Sequence, residues 1–173
     1  MRGGHDVADR RRELLTEAIH TVRSLDNDQH PALFELLMKS ALLEVDVSHK
    51  RGVQLMEQAV ELGGAVFGPD DIRIAEALTY LGYFYAPSAH SASDSKSTDD
   101  VATAEDYYQQ ALRIFQKQEN PAAHEGFGAV ADYLKILFEV DGQTQKAAEM
   151  DKYIDGIYEE QEKLIQEKKE EAF

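Results

Sequence analysis

Six histidines, at positions 5, 20, 30, 49, 90 and 124, are the first residues to consider for chemistry. A metal site on a helix needs two ligands on one face, at i and i+4, and no pair of these histidines has that spacing. The chain has no cysteine, which removes thiol nucleophiles, disulfides and zinc-thiolate sites together. Asp26-Asn27-Asp28-Gln29-His30-Pro31 opens like a calcium loop, but proline stands where the sharp turn needs glycine. Gly63-Gly64 and Gly126-Phe127-Gly128 match neither nucleotide-binding fingerprint. Ser91, Ser93, Ser95, Ser97 and Thr98 lie among acidic residues and suit phosphorylation, yet no histidine-paired nucleophile follows from them. The sequence therefore predicts no catalytic residue, no metal and no cofactor, and the chain is read as non-enzymatic.

Charge narrows the partners. Thirty-three acidic against 18 basic residues leave a net charge of −15 over 173 residues. Phosphate backbones need a basic stripe, and the one basic cluster is Arg10-Arg11-Arg12, so nucleic acid is excluded. The acidity serves solubility, and beyond that it favours a basic partner. No run approaches the roughly 18 apolar residues of a membrane span, and the first residues lack a signal-peptide apolar core. No membrane association and a cytoplasmic location are expected.

The elements that must position any site are helices. Apolar residues recur every three or four positions, and strand-like alternation is not sustained. The first helix is expected over about 8–25, with Leu14, Leu15, Ala18, Ile19, Val22 and Leu25 on one face. Others are expected over about 31–46, 50–66, 71–86, 100–118, 122–140 and 143–169. Gly68-Pro69 stops the third, Asp70 or Asp71 caps the fourth, and Pro87 closes it. Residues 1–7 are set aside as a tail outside the fold. Residues 87–100 read as a polar insertion that cannot pack, and 159–173 as a charged extension of the last helix.

One tetrad recurs along these helices: Thr16-Glu17-Ala18-Ile19, Glu57-Gln58-Ala59-Val60 and Gln109-Gln110-Ala111-Leu112. Each leads to a proline, at 31, 69 and 121. The alanines lie 41 and 52 residues apart, and removing roughly ten residues of insertion brings both spacings to about 42. A weaker fourth copy puts Ile154 in the alanine slot. Gly82, in the middle of an apolar helix, costs about 1 kcal/mol against alanine, which calls for close approach by another helix.

This pattern resembles tetratricopeptide (TPR) repeats of the 42-residue type found in kinesin light chains. Leu78, Leu81, Gly82 and Tyr85 match the first-helix signature of the second repeat, and Ala104, Tyr108 and Ala111 the second-helix signature. The stretch "FGPDDIRIAEAL" resembles the connector of that subfamily. In the third repeat Ala131, Leu134, Phe138, Gly142 and Ala147 fit, while Lys135 fills a small-residue slot. In the first, Gly52, Met56 and Ala59 fit, and either Ser40 or Ala41 takes the small slot. The resemblance covers about residues 10–158. It implies an all-α, antiparallel helix-pair solenoid of about seven helices, wound as a right-handed superhelix and closed by a long C-terminal capping helix. The first helix would then be the second half of a repeat.

The resemblance also implies a concave face lined by the first helix of each pair. Repeat positions put Glu35, Met38, Glu76, Thr79, Tyr83, Asp132, Ile136 and Glu139 there. Phe84 and Tyr85 are expected in the core, with Tyr80 or Tyr83 turned to the groove. Mixed carboxylate and apolar surface suits a basic or amphipathic peptide or helix. Kinesin-light-chain-like repeats carry asparagines where this chain has Thr79-Tyr80 and Asp132-Tyr133, so binding in that manner is not implied. The Lys, Arg and Asn that hold a terminal carboxylate in chaperone-binding repeats are missing from these positions. A protein-interaction scaffold is the reading; self-association through the end helices, or a place within a longer solenoid, is the alternative.

Overall fold

The computed structural model describes residues 3–25, 30–45, 47–86 and 98–171. Among them are seven α-helices and no strand. The helices are α1 (Gly3–Leu25), α2 (Pro31–Glu44), α3 (His49–Phe67), α4 (Ile72–Tyr85), α5 (Thr98–Gln116), α6 (Glu125–Val140) and α7 (Thr144–Glu171), with a 3-10 turn at Pro121–Ala123 before α6.

Local chemistry sets the helix ends. Pro31 takes the first helical position of α2, where its missing N–H is no loss, and the His30 ring accepts from Ala32 N–H at 3.1 Å. Gly68 ends α3 with φ of 95°, a backbone that side chains disfavour. Asp71, not Asp70, caps α4, its Oδ1 accepting from Arg73 N–H at 3.0 Å. Gly142 closes α6 at φ of 74°, and the Gln143 N–H reaches back to the Phe138 carbonyl at 2.8 Å, the Schellman arrangement.

The chain forms two compact units, one ending at Phe84 and the other beginning at Tyr85. In the first, α2 packs on both α1 and α3. Leu33, Phe34, Leu37 and Ala41 of α2 are buried with Met56 and Ala59 of α3 and with Ile74, Ala75 and Leu78 of α4. In the second, α6 packs on both α5 and α7, and Ala104, Tyr108 and Ala111 are buried with Val130, Ala131, Leu134 and Phe138. Filling such a site with Leu or Phe contributes about 1.5–3 kcal/mol each, so these stripes hold the pairs together.

The repeat alanines are not all equal. Ala59 and Ala111 have no accessible surface, and Ile154 in the fourth slot is also buried. Ala18 is only half-buried. Leu15, Ala18, Ile19 and Val22 do form the inward stripe of α1. Leu14 and Leu25, expected on that face, point to solvent, with Leu25 77% exposed. At 3.6 residues per turn Leu14 and Leu25 fall together on the flank of the stripe centred near Leu15 and Val22. The helix also begins at Gly3 rather than near residue 8. Two glycines give no helix signal, while an existing helix adds a hydrogen bond for each residue it gains. Pro87, the serines of the polar insertion up to Ser97 and residues 26–29 lie outside the described residues.

Candidate interaction surface

Three connector residues build one edge of the first unit. The Phe67 ring meets Phe34 edge-on, with centroids 5.4 Å apart. The Arg73 guanidinium lies over Phe67 at 3.3 Å from its centroid and pairs with both carboxylate oxygens of Asp71, at 2.7 and 2.8 Å. That hydrogen-bonded pair holds the Asp71 carboxyl below the usual carboxylate range and holds the Arg73 proton more tightly. Arg73 also feels the negative charge of Glu35 on α2 and Glu76 on α4. The two expected acidic residues thus stand around one cation that the sequence reading missed. The signal was there in "DDIR": a residue two positions after the cap can fold back onto it.

Along α4, Glu76, Thr79, Tyr80 and Tyr83 form a single stripe, and Tyr83 is 53% exposed. Tyr80 is exposed too, and of the two aromatics expected in the core Phe84 is buried while Tyr85 is half-buried. Thr79 has its hydroxyl committed to the Ala75 carbonyl at 2.7 Å, which leaves it less able to donate to a ligand. On α2, Glu35 is exposed and Met38 half-buried, with Leu42 one turn further along.

In the second unit, Tyr133, Ile136 and Val140 form an exposed apolar stripe on α6, with Ile136 52% exposed. Glu139 is exposed beside it, and Asp132 is half-buried. Asp132 accepts a hydrogen bond of 2.7 Å from the Tyr158 hydroxyl of α7. That bond raises the Tyr158 hydroxyl above its ordinary range, with burial adding to the effect. Asp132 is therefore partly engaged in the fold. Tyr133 stacks on the buried Tyr108, with centroids 5.6 Å apart, and so presents a braced edge. Lys135, in the small-residue slot, fits because its ammonium reaches Asp151 of α7 at 2.5 Å and Glu139 at 3.8 Å.

Among the described residues no cluster of three His, Asp or Glu could hold a metal ion, and no helix is long and apolar enough to cross a membrane.

No protein-family model matches the chain, and no curated protein matches it. Solved structures do. BtubC (BKLC) from P. vanneervenii superposes with a TM-score of 0.72 at 19% identity, over 88% of this chain and 57% of that one. TPR-like repeats from Podosopora anserina, assigned there to a putative kinesin light chain, give a TM-score of 0.42 at 17% identity, over 91% and 94% of the two chains. A substituted form of those repeats gives 0.43 at 17% identity, over 90% and 93%. The fold is a TPR-like helical repeat. The chain spans a little over half the length of BtubC.

Proposed function

We propose that the chain is a non-enzymatic protein-interaction module that binds a basic or amphipathic peptide or helix along the first helices of its repeats. One observation carries the reading. Exposed, rigidly mounted apolar side chains stand beside carboxylates in both units: Tyr80 and Tyr83 with Glu76 on α4, and Ile136 and Val140 with Glu139 on α6. Aromatic anchors supply contact area, and flanking charge supplies orientation and encounter rate. Net charge of −15 supports a basic partner and speaks against nucleic acid. A cytoplasmic location belongs to the same reading, and cell fractionation tests it.

The experiment is a screen of basic amphipathic peptides against the full chain, followed by Glu35→Lys with Glu76→Lys. The double variant is expected to weaken a basic peptide by about 1–3 kcal/mol while the helical circular dichroism is unchanged. Unchanged affinity removes the assignment.

A second reading, self-association through an end helix, is favoured by the outer part of α7. Tyr158 and Ile165 are exposed there, on a helix that continues to Glu171. Light scattering at two concentrations decides: a mass that does not change with concentration rules it out.

A further inference from the structure

Helical serines and threonines commonly return their hydroxyl to the carbonyl one turn back. Thr16, Thr21 and Thr79 all do so, at 2.8, 2.8 and 2.7 Å. Ser40 does not. It is 8% exposed, and its Oγ is buried with no partner. Nearby, the Nε of Arg12 is also buried with no partner, although its Nη1 bonds Asp9. Leaving buried polar atoms unpaired is costly, so two in one place need a reason.

Both residues line the same cleft, a space of about 170 Å³ between α1, α2 and α3. Thr16, Arg23, Glu44 and Arg51 complete its polar lining. Three guanidinium groups thus border it, two of them beside carboxylates: Glu44 sits 3.7 Å from Arg51 Nε, and Asp9 pairs with Arg12 Nη1. The result is a cleft rich in N–H donors, two of its buried donors lacking any acceptor.

We propose that this cleft is a binding site for a small oxyanion, a phosphoryl or carboxylate group carried on a small molecule. Ser40 Oγ–H and Arg12 Nε–H are the inward donors, and the other guanidinium groups of the lining border them. Guanidinium groups suit oxyanions because their planar N–H donors match the oxygen spacing. Several waters fit the volume, and the titration below separates them from a bound anion. The site is separate from the α4 and α6 stripes, so it stands or falls independently of peptide binding.

The test titrates the full chain with inorganic phosphate and, separately, with succinate, each against sodium chloride at matched ionic strength. Amide NMR shifts of α1, α2 and α3 are the readout. Saturable shifts around Ser40 and Arg12 are expected, and the anion that gives them identifies the source chemistry. Arg12→Gln with Arg51→Gln should weaken binding about tenfold or more, as loss of charge-assisted donors does. Ser40→Ala keeps the volume and the fold, and should weaken it about threefold, as loss of one neutral donor does. Arg10→Gln, at an exposed arginine paired with Glu13, should leave it unchanged. Shifts no larger than those with sodium chloride overturn the proposal, and so does equal binding by Ser40→Ala and the wild type.

Discussion

The two units bring their helices together in different ways. In the first, glycine allows backbone to approach backbone: a Cβ on Gly52 would lie 2.8 Å from the Val45 Cα and 2.9 Å from its nitrogen. Gly63 of that unit faces side chains, and in the second unit Gly126 and Gly128 face rings, of Phe115 and Tyr158, rather than backbone. There the α6–α7 pair is tied by side-chain polar links, Lys135 to Asp151 and Tyr158 to Asp132. Lys146 to Glu105, at 3.0 Å, adds a third link between α7 and α5. One repeat architecture thus has a backbone-to-backbone approach in one unit, where the α2–α3 ion pair Glu44–Arg51 is long at 3.7 Å, and shorter polar links between helices in the other. Shape should respond to added volume, charge to salt and pH.

The largest expected effect tests the shape half. Gly52→Ala forces backbone apart, because the atoms in its way cannot rotate aside, and should cost about 2–4 kcal/mol in urea unfolding. Hydrogen exchange should rise first in α2 and α3. A cost under about 0.5 kcal/mol, the range of an ordinary surface change, would end the contrast.

Next comes Gly63→Ala, whose Cβ would meet the Ile74 Cδ1 at 2.4 Å and the Phe34 ring at 2.9 Å. These are movable side-chain ends, so the expected cost is smaller, about 1–3 kcal/mol. Ile74→Val deletes the offending methyl. The pair of substitutions should be less harmful than the sum of the two, which a double-mutant cycle measures.

Smaller effects test the charge half. Tyr158→Phe should cost at most about 1 kcal/mol, the net value of one hydrogen bond at a half-exposed site. Its pH signature is sharper. The folded state holds the Tyr158 proton more tightly than the unfolded state does, so this contribution is complete below the ordinary tyrosine range. It is lost as pH rises through the folded value. Tyr158→Phe should flatten that alkaline limb. Asp71 in the first unit is its acid counterpart. With a lowered carboxyl, its contribution is complete above the ordinary aspartate range and is lost as pH falls through the folded value. Asp71→Asn should flatten the acid limb.

The smallest change is Lys135→Met. Its pairs with Asp151 and Glu139 are partly solvated, and salt screens them. The variant should differ from the wild type most at low ionic strength, and the difference should shrink as salt is added. A salt-independent difference would mean that packing, not charge, holds that slot.

How much was legible depended on range. On α4 Leu78, Leu81 and Phe84 fell in the core and Tyr83 outside, with only Tyr85 less buried than expected, because 3.6-residue periodicity is a property of one segment. The same reasoning placed Leu14 and Leu25 inward on α1, where they lie on the flank of the stripe and are exposed. Ser40 and Ala41 both proved buried, so the one-residue ambiguity in the first repeat reflected a helix with partners on two sides. The place of Arg73 was missed, since its fold-back onto Asp71 and its position over Phe67 depend on how α3, α4 and the connector meet. The unpaired hydroxyl of Ser40 leaves no trace in sequence at all.

Periodic apolar residues, helix-stopping glycines and a period of about 42 were enough to specify stacked antiparallel helices, because these signals act within a segment or between identical ones. Only the tertiary structure decided which ions pair, which buried donors go without a partner and how closely two backbones pass. Those depend on the rotation and axial offset of one helix against another, and they are settled by the packing of many side chains at once.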